Sequence, residues 1–165
     1  MPPLFRVEHE GIKIMVKLHK EDFVKDGDGF EIEVVLFDEE STNIGLEFPE
    51  NCDPVDYLKE KLPVVESRLN WIVSNKAAFV DFLAVEGNLE AAQEWGGDLD
   101  IEFPITAETF GDAMVFNSLS MDFGENEDNP PMEIYIEFEP DFFGGHCLRV
   151  EVTEDDELDG GEMMG

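Results

Sequence analysis

The chain predicts a single α+β domain, a largely antiparallel sheet with helices packed on one face. Two observations carry that reading. Apolar residues alternate with polar ones near the start of the chain and again in its last third, which is the period of a half-buried strand. Between those regions the apolar residues recur at helical spacing instead. Strands and helices do not alternate regularly, so a doubly wound parallel fold is not indicated.

Taken in order, Ile12, Ile14, Val16 and Leu18 alternate with Lys13, Met15 and Lys17 and predict a strand near 12–18. Phe30, Ile32, Val34 and Leu36 predict a second near 30–37, with Glu31 and Glu33 on its other face. Asp26-Gly27-Asp28-Gly29 supplies turn residues that tolerate positive φ, so the two strands are expected to form a hairpin in which lysines face glutamates. Ile44, Leu46 and Phe48 suggest a third, shorter strand.

Helices are expected within 54–95. Asp53-Pro54 reads as an N-cap followed by proline at the first helical position. Leu58, Leu62, Val65, Leu69 and Ile72 make one apolar face, and Pro63 predicts a break near Lys61. Ser74 or Asn75 is expected to cap a second segment. Asn88 is expected to cap a third, which Gly96-Gly97 stops.

The chain then returns to strands. Leu99, Ile101 and Phe103 alternate with acids up to Pro104, and Thr106 caps a single turn through Phe110. Val115, Leu119, Met121 and Phe123 share a parity in a strand near 114–122. Met132, Ile134, Ile136 and Phe138 do so near 132–138, and His146, Leu148, Val150 and Val152 near 146–152. The domain is expected over 1–153, and the acidic, Gly-rich residues 154–165 are expected to be a disordered tail.

Charge is the unusual quantity. Forty-one Asp and Glu against 10 Lys and Arg give −31, yet 14 Phe and 42% hydrophobic residues supply a core. The chain therefore folds, and it is repelled by nucleic acid backbones and anionic membranes. Between Lys76 and Arg149 there is no basic residue, so that half presents a strong negative field. The longest stretch without a charge, Ala113 to Met121, is far too short for a membrane helix. No signal peptide is read at the N-terminus, and a cytoplasmic location is expected. Cys52 and Cys147 stand far apart and read as reduced thiols.

No catalytic residue, cofactor or metal site emerges from the motifs. Placing Gly29 at position 6 of a calcium loop puts Val35 where a bidentate Glu is needed. His9, His19 and His146 form no ligand pair, and His146 and Cys147 point to opposite faces of a strand. The paired glycines match no phosphate-binding loop. His146 is expected to be a buried, hydrogen-bonded structural residue. Its strand face otherwise carries Leu148, Val150 and Val152.

Several segments carry a resemblance: Ile105-Thr106-Ala107-Glu108-Thr109-Phe110, Asn117-Ser118-Leu119-Ser120-Met121, Glu133-Ile134-Tyr135-Ile136, and Phe142 through Val150. Leu69-Asn70-Trp71-Ile72, Asn75-Lys76 and Trp95 fit the same order. Over residues 55–152 the chain resembles a family of small, uncharacterised bacterial domains ending in an aromatic-x-Gly-His-x-apolar-x-Val strand. It departs from them at Gly144 and Cys147. Similar domains include immunity proteins, so the resemblance implies binding rather than catalysis. It makes Phe143, Gly145 and His146 the motif residues, shaping a strand entry.

The expected function is that of an acidic protein-binding module, an immunity- or antitoxin-like inhibitor of a basic partner such as a toxin or nuclease. The alternatives are a hydrolase using His146 with nearby carboxylates, and a DNA mimic. Glu133, Tyr135, Glu137 and Glu139 share the face opposite the apolar residues of their strand and are the candidate binding stripe.

Overall fold

The computed structural model describes residues 4–6, 8–10, 13–37 and 40–165. Among these residues are an eight-stranded sheet, a two-stranded one and four α-helices. The strands are β1 (Leu4–Arg6), β2 (Glu8–Glu10), β3 (Lys13–Met15), β4 (Val24–Asp26), β5 (Gly29–Phe37) and β6 (Glu40–Glu47), then β7 (Met114–Asp122), β8 (Met132–Phe138), β9 (Cys147–Val152) and β10 (Leu158–Met164). The helices are α1 (Pro54–Ser74), α2 (Lys76–Val85), α3 (Asn88–Gly96) and α4 (Ala107–Ala113). The large sheet runs β1–β5–β6–β7–β8–β9–β10, with β4 also beside β5. It is antiparallel except at β1/β5 and β6/β7. Parallel neighbours need a crossover, and the β6-to-β7 connection contains all four helices.

The core lies between helices and sheet, as the alternation predicts. Ile32, Ile44, Leu119, Ile134 and Val150 form one row across five strands, all buried. Leu58, Val65, Leu69 and Ile72 of α1 pack over the sheet with Phe79, Leu83 and Phe110. Asp53 caps α1 by accepting from the amides of Val55 and Asp56. Thr106 and Thr109 form a reciprocal capping box on α4, which extends beyond the single turn expected.

Several expectations are corrected. The 12–18 strand does not pair with β5: its described strand portion, β3, pairs with β2, and Ile12 lies outside the described residues. Residues 16–18 run along α1, where Val16 N donates to Asn70 Oδ1 (2.8 Å) and Leu18 N to Glu66 Oε2 (2.9 Å). The Asp26–Gly29 turn is a hairpin turn, but its incoming strand is β4, so Val24 and not a lysine faces Glu31. Pro63 does not break α1, which is one helix of 21 residues. Proline only removes one donor there, on the exposed side, while the opposite face is anchored in the core. Leu99–Phe103 has no strand neighbour and forms turns after α3. Gly96, the last residue of α3, packs against Ile105, whose Cδ1 would have to move to admit a Cβ.

A further correction is the C-terminus. Residues 158–164, expected to be disordered, are β10 along β9. The acidic run before it is a turn: Thr153 Oγ1 accepts from the amides of Asp155 and Glu157. Gly160 and Gly161, both near φ +90°, make a bulge in β10. Asn88, buried at the start of α3 rather than capping it, donates to Gly161 O (3.1 Å). A buried Arg68 ties α1 to the neighbouring loops through Pro130 O (3.1 Å), Thr153 O (3.3 Å) and the Asp156 carboxylate.

Candidate functional site

The helices cover one face of the sheet, and the other is the site. Its residues follow from strand parity, each outward residue being the neighbour of a core residue. Two rows cross the sheet in register. Glu31, Gly45, Ser120, Glu133, Glu151 and Asp159 make one. Glu33, Asn43, Ser118, Tyr135, Arg149 and Glu162 make the other. Every one of these is half-buried or exposed. On the same face Val35 is buried.

A bulge between Phe116 and Ser118 shifts the parity within β7. Phe116 therefore turns inward with Leu119 and Met121, while Val115, expected to share their face, turns out.

Arg149 is the cation at the centre. Its Nη2 lies 3.2 Å from Glu133 Oε2 and 3.5 Å from Glu151 Oε2, and its Nη1 lies 3.3 Å from Glu162 Oε2. Burial works against its charge, but Glu133 and Glu162 outweigh that and hold the guanidinium pKa above its ordinary value. Tyr135 Oη donates to Glu133 Oε1 (2.6 Å), and that hydrogen bond, with burial, raises the phenol pKa. Cys147, on this face, has its thiol pKa raised by burial and by Glu137, which suppresses the thiolate a nucleophile requires.

Two recesses indent the face where β6 and β7 end. One, about 460 Å³, is lined by Glu47, Ser120, Asp122, Glu125, Glu133 and Glu151 among others. The next, about 320 Å³, shares Glu47 and Ser120 and reaches Asp26 and Asp28. Among the described residues, no basic residue lines either.

The candidate stripe divides. Glu133, Tyr135 and Glu137 stand on this face, with Glu133 occupied by Arg149 and Tyr135 and with Glu137 exposed. Glu139 lies past the end of β8, where its amide donates to Ala113 O (2.9 Å). It borders a separate recess of about 380 Å³ with Glu40 and Asp112. Reading β8 alone missed Glu31, Glu33, Glu47, Asp122, Glu151 and Glu162. The outward parity of the other strands was the signal for them.

The motif residues form a turn at the far end of β9. Phe143 is fully buried, and Gly144 and Gly145 both have positive φ. Asp141 holds the turn by accepting from the amides of Phe143 (2.9 Å) and Gly145 (2.6 Å). His146 is not the buried strand residue expected. It sits in the turn before Cys147 begins β9, half-exposed, its ring centroid 5.9 Å from that of Trp95. The two adjacent glycines release the chain from the sheet at this point, so strand parity does not extend back to residue 146.

Cys52 and Cys147 are free thiols, and among the described residues no three His, Cys, Asp or Glu side chains converge to hold a metal ion. Among the described residues no helix is long and apolar enough to cross a membrane.

The model of a family described as an uncharacterized protein conserved in bacteria (DUF2262) matches residues 22–163. No curated protein and no solved structure matches the chain.

Proposed function

The chain belongs to this uncharacterized family conserved in bacteria, and from that premise we propose that it acts by binding a basic protein through the outer face of its sheet. The observation that carries the proposal is the composition of that face, where Glu133, Glu151 and Glu162 surround the Arg149 guanidinium and Glu31, Glu33, Glu47 and Asp122 add carboxylates on β5, β6 and β7. A surface of this kind is costly to keep for solubility alone, because like charges repel across it. A partner with a complementary basic patch relieves the repulsion, associates faster and is discriminated from neutral or acidic proteins.

Within this reading the partner is a toxin-like protein such as a nuclease, and the chain is its immunity- or antitoxin-like inhibitor. A basic surface that evolved to hold nucleic acid is the complement of this face. Capture from a bacterial lysate at low salt tests the proposal. The wild-type chain should retain a basic protein that a Glu31→Lys, Glu47→Lys, Glu137→Lys variant does not. Recovery of no basic protein, or equal recovery by both chains, would refute it.

A further inference from the structure

A second surface, none of whose residues lies on the outer sheet face, is formed by the end of α3 and the turns at 98–105 and 141–146. Elsewhere Phe79, Phe110 and Phe123 are fully buried, and Phe37, Phe48, Trp71, Phe82 and Tyr135 are half-buried. Here Trp95 and Phe103 are each 38% exposed. They flank a buried pair, Trp95 at 6.0 Å from Phe143 and Phe103 at 6.3 Å from Phe142, ring centroid to centroid. Half-exposed His146 adjoins Trp95, and a recess of about 230 Å³ opens between Gly96, Ile101, Phe103 and Ile105.

The chain segments that carry Trp95 and Phe103 also carry the exposed acids Glu94, Asp98, Asp100 and Glu102. Uncovered rings among polar residues have the layout of an interface anchor. These acids decide what covers them. A second copy would bring the same carboxylates against these, and nucleic acid or an anionic membrane would bring phosphates. A cation with a flat, weakly hydrated face satisfies both the indole and the acids, which describes guanidinium better than ammonium. We propose that this surface takes an arginine side chain of a basic protein partner against Trp95, with these carboxylates holding the basic residues beside it.

Trp71 and Trp95 are the two tryptophans of the chain, so Trp71→Phe leaves Trp95 as the sole indole reporter. Hexa-arginine and hexa-lysine carry equal charge, and titrating each at about 0.15 M salt separates guanidinium recognition from general attraction. Hexa-arginine should quench Trp95 saturably and bind about fivefold more tightly than hexa-lysine. By calorimetry, Trp95→Leu should erase that preference while retaining the charge-driven part, with thermal melting showing that the variant is folded. Should Trp95→Leu fail to fold, Trp95→Phe replaces it, and the preference should then shrink.

The outer-face triple lysine variant should weaken both peptides and keep the preference, so the two proposals fail separately. Equal binding of the two peptides, a preference that survives Trp95→Leu, or a dimer that Trp95→Leu dissociates in sedimentation would each overturn the assignment.

Discussion

Glu133 and Glu151 face each other directly across β8 and β9, two like charges at one register position. A pair so placed is destabilising unless a cation sits between, and Arg149 Nη2 reaches both. Replacing Arg149 with Met should therefore lower stability by about 1 kcal/mol in low salt. The loss should shrink as added salt screens the repulsion, and Glu151→Gln should restore part of it. Denaturant melts at two ionic strengths measure this. A loss independent of salt would assign the effect to packing instead.

Arg68 makes a larger contribution, because its guanidinium is buried and spans three segments. Its removal leaves the carbonyls of Pro130 and Thr153 without their donor and a cavity where a buried side chain stood, while the exposed Asp156 carboxylate keeps Asn129 Nδ2 (3.1 Å). Arg68→Ala should cost about 2–4 kcal/mol. The Lys61–Asp128 contact, at 3.8 Å from a largely buried lysine to a fully exposed carboxylate, should be worth less than about 1 kcal/mol because water screens the Asp128 side. Urea unfolding of Arg68→Ala and Lys61→Ala compares them directly, and equal losses would contradict the account.

Pro63 sits well inside α1 with its ring toward solvent. Alanine there restores a backbone donor and relieves the ring's crowding of the preceding turn. Pro63→Ala should stabilise the chain by about 2 kcal/mol after the added freedom of the unfolded chain is deducted. A destabilised variant would mean that the proline shapes the helix in a way packing depends on.

Tyr57 and Tyr135 are the two tyrosines, and both phenols are raised above the ordinary value. For Tyr57 the causes are burial first, then the hydrogen bond to Glu127 Oε1 (3.2 Å). A raised phenol pKa means the folded state holds the proton more tightly. The associated stability is complete below the unfolded value near 10 and is lost as pH rises through the folded value. Absorbance at the phenolate band should therefore rise at higher pH in the folded chain than in the unfolded chain. Glu127→Gln should bring one of the two titrations down, and an unchanged titration would remove Glu127 as a cause.

Much of this architecture was legible because burial alternates so regularly. Ile32, Ile134 and Val150 sit on one face with acids on the other, and Leu58 to Ile72 trace one side of α1. What stayed hidden depends on partners distant in sequence. Nothing local tells Ile14 that its strand pairs with β2, or β10 that β9 will accept it. Gly160-Gly161 reads as disorder by composition, yet it is the bulge that lets β10 bend past Asn88.

The site followed the same rule. Glu133 and Glu137 were visible as outward residues of one strand, but the face they belong to exists only once β5 to β10 are in register. Arg149 looked like the end of an uncharged-to-acidic run, and its role as the cation between two glutamates needed the β8–β9 pairing. His146 misled because Gly144 and Gly145 immediately precede it and β9 begins only at Cys147.

The central claim is that the outer sheet face meets a basic protein, and association kinetics test it most directly. With the captured partner immobilised, the rate constant for association should fall steeply with salt for the wild-type chain. For the Glu31→Lys, Glu47→Lys, Glu137→Lys variant it should be at least about tenfold slower at low salt and nearly independent of salt, with dissociation changed much less. The same rate and the same salt dependence in both chains would contradict the account and leave the charge of this face without a role in recognition.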